Sequence, residues 1–413
     1  MSQSPTGGPC RFCGVELTET FVDLGMSPLC ENFLTVDDLS AGEMFYPLHT
    51  HVCHECFLVQ LPEFVSPEEI FREYAYFSSY SDAWLDHCRG YVRQMTADLG
   101  LDGSSMVVEL GSNDGYLLQY FVQQGVPVLG VEPALNVAEA AEARGVPTHT
   151  EFFGRDEAAR LADRGVRADL VLGNNVLAQV PDLNDFVGGI PAILAPAGVV
   201  TIEFPHLERL IEQNQFDTIY HEHFSYFSLV AVERILAAHG LRIFDVEELW
   251  THGGSLRIHA GHAAAEHAES PRLAELRERE LTSGMEDIDH YRSFAHRVEE
   301  LRREILRFFI EAREEGKRVV GYGAPGKGNT LLNYCGIRAD LLELTVDRNP
   351  YKHGRFLPGT HIPSHPPELL EEEKADYVFI LPWNLRDEIS TQLAHLRDRG
   401  TRFVVPIPGI EIF

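Results

Sequence analysis

Nowhere in this 413-residue chain does an apolar run approach the roughly 18 residues that a membrane-crossing helix needs. The opening Met1-Ser2-Gln3-Ser4-Pro5 carries neither the basic nor the apolar segment of a secretory signal, so a cytoplasmic protein without a membrane partner is expected. Positive charge is scarce: 34 Lys and Arg stand against 63 Asp and Glu, a formal net charge of −29. Such a surface repels polyanions, and no cluster of Lys and Arg offsets it, so nucleic acid is not an expected partner. Cysteine is sparse too, with seven in the chain. In a reducing compartment that points to metal or packing roles, not to a disulfide framework. What remains is an ordinary globular composition, 44% hydrophobic, in a chain long enough for two or three domains.

Four of the cysteines are paired in sequence. Cys10-Arg11-Phe12-Cys13 and Cys53-His54-Glu55-Cys56 are C-x-x-C knuckles. Two intervening residues let both thiolates of a knuckle reach one ion, and two knuckles complete a tetrahedral zinc site with no open position for water. The site is therefore expected to be structural, stapling a loop-rich lobe over residues 1–70. Cys30, Cys88 and Cys335 stand alone and read as small buried hydrophobes.

The stretch Val107-Val108-Glu109-Leu110-Gly111-Ser112-Asn113-Asp114-Gly115 reads as a buried strand running into a glycine-rich turn, with a helix opening near Tyr116. A second strand over residues 128–131 ends on Glu132, about 20 residues after Gly111, where doubly wound folds place an acid for ribose hydroxyls. A nucleoside ligand follows. Glu109 and Asp114 put negative charge where a dinucleotide's pyrophosphate would sit, so cationic S-adenosylmethionine suits the turn better than NAD. Gly111, Ser112, Asp114, Glu132, Pro133 and Asn174 are the expected cofactor contacts, with Phe152 or Phe153 flanking the adenine. The aromatic stretch from Tyr74 to Asp82, including Tyr76 and Tyr80, is either an N-cap with packing aromatics or a lid over this pocket.

From Met106 to about Leu249, apolar strand candidates alternate with helical patterns, which indicates a parallel sheet with helices on both faces. Ligands in such sheets sit beyond the carboxyl ends of the strands, near Gly111, Glu132, Asn174, Asn175 and Glu203. Residues 71–250 are taken as this domain and 251–413 as a second α/β unit. Charged, periodic residues 270–317 form one or two long linking helices. Gly321, Gly323 and Gly326 match G-x-G-x-x-G with Asp347 beyond them, and Lys327 misses the P-loop pattern because Gly328 follows it. A phosphate-contacting loop on a degenerate Rossmann unit is expected.

The order of these elements resembles the sugar C-methyltransferases of deoxysugar and antibiotic biosynthesis. The carrying residues are the paired knuckles, residues 76–80, 109–115 and 220–228, His252-Gly253-Gly254-Ser255-Leu256-Arg257, and residues 322–329. The resemblance implies a zinc-binding N-terminal lobe, a central class I methyltransferase domain and a Rossmann-like C-terminal domain that meets a nucleotide-linked 4-keto deoxysugar, with dTDP as the expected nucleotide. It departs at Gln179, where the family often carries histidine, so an ionisable role there does not transfer. Asn175, Gln179, His252, Arg257, Lys327, Asn329 and Lys352 are the expected substrate contacts, Arg257, Lys327 and Lys352 meeting the diphosphate. A monomer is expected.

Methylation at carbon needs a carbanion equivalent, which a neighbouring ketone supplies as an enolate once a base removes the α proton. Tyr220-His221-Glu222-His223 crowds two imidazoles, a carboxylate and a phenol together. His223 is the expected base, because a histidine is largely neutral yet basic at cellular pH. Tyr220 would polarise the ketone, and Glu222 and Tyr76 would assist. Methylation at C-3 is expected. The alternatives are C-5 or oxygen methylation, and a non-catalytic protein that binds a nucleotide sugar. A zinc hydrolase on His221, Glu222 and His223 is disfavoured because the H-E-x-x-H spacing is absent.

Overall fold

The computed structural model describes residues 7–66, 78–80 and 82–413. Tyr76 and the rest of the aromatic stretch over 74–77, with Ser81, lie outside the described residues. No helix among the described residues is long and apolar enough to cross a membrane.

Three sheets organise the chain, with strands numbered in chain order. The first joins β1 (Glu19–Ser27), β2 (Tyr46–Val52) and β3 (Val59–Gln60) to β9 (Ser225–Tyr226), all antiparallel and in the order β1-β2-β3-β9. Its last strand follows directly on the Tyr220 to His223 stretch, so the zinc lobe's sheet is completed by the segment expected to carry the chemistry.

The second sheet has seven strands. They are β4 (Val107–Leu110), β5 (Val128–Val131), β6 (Thr148–His149), β7 (Ala168–Asn174), β8 (Leu194–Pro205), β10 (Leu241–Leu249) and β11 (Ser255–His262), in the order β10-β11-β8-β7-β4-β5-β6. Every residue of β4 is buried, as expected of a central strand covered on both faces by helices. Two of the flanking helices start on side-chain caps that accept orphan N–H groups. Asp182 caps Leu183–Ile193 through Asp185 N, and Ser228 caps Leu229–Ala238 through Ala231 N. The parallel pattern holds from β6 to β8, but β10 and β11 run antiparallel. The central sheet thus continues to His262, past the expected boundary at 250, because the glycine-rich 252–254 corner folds β11 back between β10 and β8.

The third sheet joins β12 (Val319–Tyr322), β13 (Thr345–Val346), β14 (Ser364–His365), β15 (Tyr377–Ile380), β16 (Arg402–Val405) and β17 (Glu411–Ile412) in the order β14-β13-β12-β15-β16-β17. It is parallel except for the β16–β17 pair. The two-residue strands β14 and β17 are too short to leave a periodic signal.

Residues 270–317 form two helices, Pro271–Ser283 and Ile288–Glu314. Ser270 caps the first, Pro271 opens it where its missing N–H costs nothing, and Gly284 closes it in the left-handed region at φ 93. The longer helix is solvated on one side only. Its Tyr291, Phe294, Val298, Leu301, Ile305 and Phe309 recur at three- and four-residue spacing and are buried. Phe294 stacks on Phe21 of β1 with centroids 4.7 Å apart, and Phe309 meets Phe379 of β15 at 4.9 Å. One apolar core therefore runs from the zinc lobe into the C-terminal domain.

Candidate active site

The metal centre comes first because it anchors the rest. The ligand atoms of Cys10, Cys13, Cys53 and Cys56 all lie within 4.8 Å of one another. Cys10 Sγ to Cys56 Sγ is 3.6 Å, and Cys13 Sγ to Cys53 Sγ is 3.5 Å. Zinc with thiolates at about 2.3 Å in tetrahedral geometry separates its sulfurs by about 3.8 Å, so the four cysteines fit the ion. Gln60 Nε2 donates to Cys10 Sγ at 3.2 Å, and the Arg11 N–H donates to Gln60 Oε1 at 2.9 Å. All four ligands being sulfur, the zinc is structural. A second cluster, His206, Glu208 and Glu280, has its carboxylates engaged already: Glu280 accepts from His206 and from the N–H groups of Leu229 and Val230, and Glu208 from Arg279 and Ser283.

At the carboxyl ends of β4, β5 and β7, the turn expected to hold the cofactor is formed. Gly111 stands at φ +70, and a Cβ there would lie 2.9 Å from Val176. Glu132 accepts from the N–H groups of Asn113 at 2.9 Å and Ala134 at 3.0 Å, one on each oxygen, which leaves a lone pair on each for hydroxyl donors. The buried Ser112 hydroxyl and both amide atoms of Asn174 have no partner among the described residues, as polar groups awaiting a polar ligand would. The residues therefore fit S-adenosylmethionine. The charge argument that pointed there needs correcting. Asp114 pairs with Arg144 at 2.9 Å and accepts from Ser79, so its charge is compensated inside the protein. Burial pushes the Glu109 carboxyl well above the usual carboxylate range, which leaves it without the expected charge. Phe153 packs edge-on against Phe186 at 5.4 Å and belongs to the core, whereas Phe152 is exposed and is the one of the pair left to flank a base. Tyr80 closes the 3-10 turn Ser78–Tyr80, from which Ser79 reaches Asp114; Pro133 directly follows Glu132.

Beyond the cofactor rim the second group of expected residues converges. Tyr220 and His223 lie with ring centroids 4.2 Å apart. The loop carrying them is fixed on three sides: Leu61 N donates to Phe224 O at 3.0 Å, Phe224 N to Ala178 O at 2.7 Å, and Thr330 Oγ1 to Ile219 O at 3.1 Å. The Ala178 contact puts Gln179 beside this loop. Burial, then the neighbouring His252, hold the His223 imidazole at about 3, while the Thr218 backbone carbonyl works the other way. The ring is thus neutral, with one N–H turned to a carbonyl and the other nitrogen available to accept a proton. Glu222 faces Cys30 of the zinc lobe at 3.9 Å, and burial lifts its carboxyl to about 8.

His252 is held at φ 55 and contacts Asn175, itself at φ 57, at 3.1 Å. Both lie in the left-handed region without being glycine, so the surrounding contacts must hold them there. Behind them a buried network fixes the corner. Glu203 accepts from Thr251 at 2.9 Å and Arg257 at 2.9 Å and meets His87 at 3.2 Å, and these partners hold its carboxyl at about 2. Trp84 completes the wall, 5.1 Å from His87 and 5.7 Å from His252. Sequence reasoning missed Trp84 and His87; their three-residue spacing on the helix Asp82–Leu99 was the available signal.

Three expected substrate contacts are engaged within the fold. Arg257 is 2% exposed and paired with Glu203 and Glu247, so its charge is met inside the protein. Asn329 is 1% exposed and donates to Cys30 O at 2.5 Å, joining the C-terminal domain to the zinc lobe. Lys352 lies against Glu31 at 3.6 Å and donates to Ala324 O at 2.6 Å. The expected phosphate loop is engaged in the same way. A Cβ on Gly326 would lie 2.8 Å from Cys30 Sγ and 3.0 Å from Glu31 Oε1, and Glu31 accepts from the Gly326 N–H. A carboxylate from the zinc lobe thus takes the helix N-terminus that a phosphate would need. Asp347 in turn accepts from Ala324 N at 2.6 Å and Asn349 N at 2.7 Å.

Comparison with known proteins matches this architecture segment by segment. Residues 10–71 match the family described as "Putative zinc binding domain", 84–246 a "Methyltransferase domain" and 250–408 the "C-methyltransferase C-terminal domain". Over 399 residues, 97% of this chain and 95% of the relative, the sequence is 39% identical to C-methyltransferase NovU of Streptomyces niveus. The chain belongs to the sugar C-methyltransferase family. It is an S-adenosylmethionine-dependent C-methyltransferase. The central part alone is also similar to a ubiquinone biosynthesis O-methyltransferase of Rhodopseudomonas palustris, 27% identical over 28% of this chain and 45% of that protein. Magnesium protoporphyrin IX methyltransferase from Synechocystis, solved with bound SAM, aligns over 43% of this chain and 78% of its own at TM-score 0.33 and 16% identity.

Proposed function

We propose that this C-methyltransferase acts on a nucleotide-linked 4-keto deoxysugar, with dTDP as the nucleotide, and methylates C-3. The observation that carries the reading is the buried His223, its ring centroid 4.2 Å from that of Tyr220, beside the Asn175–His252 contact. An imidazole that can accept a proton, a phenol and a second imidazole, grouped together, offer the acceptor and the donors that removal of a proton next to a ketone needs.

In this reading His223 accepts the α proton on its free ring nitrogen while the C–H electron pair moves into the enolate, and Tyr220 donates to the ketone oxygen. Asn175 and His252 hold the sugar, and Gln179 offers a hydrogen bond where a titratable group is not required. Bound S-adenosylmethionine supplies an electrophilic methyl group for the carbon so activated. Gly111, Ser112, Glu132, Asn174 and Phe152 hold it, and the walls formed by Trp84 and Tyr220 exclude water from the enolate. C-5 methylation is the second reading, since both carbons flank the ketone and the same base serves either.

The test is incubation with methyl-labelled S-adenosylmethionine and a panel of 4-keto sugar nucleotides, with the methylated carbon located by NMR. Label at C-3 supports the reading, and label at C-5 moves the assignment to the other side of the ketone. Tight binding of the sugar nucleotides without turnover would make the chain a binding protein.

A further inference from the structure

Lys327 is the half-buried cation that this reaction scheme leaves without a task. Its position is set by the helix Gly326–Cys335, on which residues 327 and 330 share a face. Thr330 on that face bonds the carbonyl of Ile219, the residue before Tyr220, so Lys327 flanks the loop that carries Tyr220 and His223. The ammonium lies over the Trp383 ring, 4.5 Å from its centroid, and donates to Asn384 Oδ1. Trp383 in turn packs against the corner holding His252: a Cβ on Gly253 would lie 2.5 Å from its ring. Two independent packing contacts therefore direct Lys327 into the seam between the base loop and the His252 corner.

The charge there is not neutralised by a direct ion pair among the described residues. Asp217 is the carboxylate whose charge acts on it, but its Oδ2 accepts from Trp383 Nε1 at 2.7 Å, and no ion pair within 4.0 Å joins it to Lys327 among the described residues. Burial lowers the Lys327 ammonium to about 8 against the pull of Asp217, and burial together with Lys327 holds His252 at about 4. Yet Lys327 remains partly exposed and His252 exposed, so the groups face a crevice and not a closed core. A crowded, unpaired cation is costly unless an anion comes to it, and the reaction itself creates one.

We propose that Lys327 is a further catalytic residue, whose ammonium donates a hydrogen bond to the oxygen of the sugar's ketone as it becomes the enolate. The inference rests on the 4-keto sugar reading above. The balance is complete within the chain and the sugar. The α proton goes to His223, the C–H pair becomes the carbon–carbon π bond, and the carbonyl π pair settles on oxygen, where Lys327 meets it. Asn384 and Trp383 aim the ammonium, and Tyr220 takes the second lone pair.

The experiment compares wild type with Lys327→Met and Lys327→Gln, using the full zinc-loaded chain with S-adenosylhomocysteine and a 4-keto sugar nucleotide in deuterated buffer. Exchange of the α proton at saturating sugar is followed by NMR, and affinity for the sugar nucleotide by calorimetry. Loss of one oxyanion donor predicts exchange about 10²–10³-fold slower, with affinity altered less than about threefold. A raised Kd with exchange at saturation unchanged would make Lys327 a diphosphate ligand and overturn the proposal; wild-type exchange in either folded variant would overturn it too. If Lys327→Met fails to fold, Lys327→Gln and the amine-rescued Lys327→Ala decide it, restoration of exchange by methylamine being the expected result and its absence the contrary one. A wild-type protein inert toward every 4-keto sugar nucleotide would instead count against the substrate reading.

Discussion

Gln60 ties a zinc ligand to the base loop through the two ends of one residue. Its side chain donates to Cys10 Sγ at 3.2 Å, and its backbone pairs across the sheet with Ser225, two residues after His223. The zinc lobe is thus the floor on which the Tyr220–His223 loop rests, reinforced by Leu61 N to Phe224 O at 3.0 Å and by His221 against Pro47 O at 3.2 Å.

From this link, Gln60→Leu should release zinc to a colorimetric chelator faster than wild type, since it leaves the part-buried Arg11 N–H without its acceptor and removes a donor from the thiolate, each a cost of about 1 kcal/mol. Proton exchange at the substrate should slow, while S-adenosylmethionine affinity should hold. Equal zinc release rates would show that the side chain contributes nothing to the centre.

Glu132→Gln keeps an acceptor for one of the two backbone N–H groups and removes the charge. Charge-assisted hydrogen bonds to ribose hydroxyls are worth roughly 1.5–3 kcal/mol, so cofactor affinity by calorimetry should fall by about tenfold or more. Because Glu132 also caps Asn113 and Ala134, Tm is measured alongside. A drop in Tm with unchanged affinity would assign the carboxylate to the fold alone.

Most of the frame was legible in the sequence for local reasons. Strands β4 and β5 announce themselves as short apolar runs ended by glycine or acid, and the knuckle spacing names its own metal. The helices over 183–193 and 229–238 begin at Asp182 and Ser228 as capping chemistry dictates. What the sequence hid was long-range. Nothing local says that Ser225–Tyr226 joins β3, or that β11 slips between β10 and β8. The glycines of 321–326 satisfy a dinucleotide pattern, yet each answers a packing need. A Cβ would strike Thr345 at Gly321, Pro382 at Gly323 and Cys30 at Gly326. Arg257 looked available because its partners, Glu203 and Glu247, lie far away in sequence or on a neighbouring strand.

The internal pairing of Arg257 is testable. Arg257→Met leaves Glu203 buried with His87 and Thr251 but without its full positive partner, and breaking a buried pair costs roughly 3–5 kcal/mol. Thermal or denaturant unfolding should show a loss on that order. Any folded fraction should bind the sugar nucleotide with near-normal affinity; stability unchanged with affinity lost would return Arg257 to the diphosphate.

His223 links the site to acid stability. Its imidazole sits at about 3 in the folded protein, depressed first by burial, against about 6.5 when unfolded. Between those values the unfolded chain binds a proton that the folded chain refuses, so stability rises with pH there: it is full above pH 6.5 and falls as pH drops toward 3. His223→Asn removes this proton-linked loss. Its Tm deficit relative to wild type should therefore shrink as pH falls from 7 to about 4.5, even though acid also loosens the zinc thiolates, because both proteins share that centre. The same depression places any His223-controlled acid limb of kcat/KM below the ordinary histidine range. A Tm gap independent of pH, with an acid limb near 6.5, would mean that His223 is solvated and readily charged, and Tyr220 would then become the leading candidate for the base.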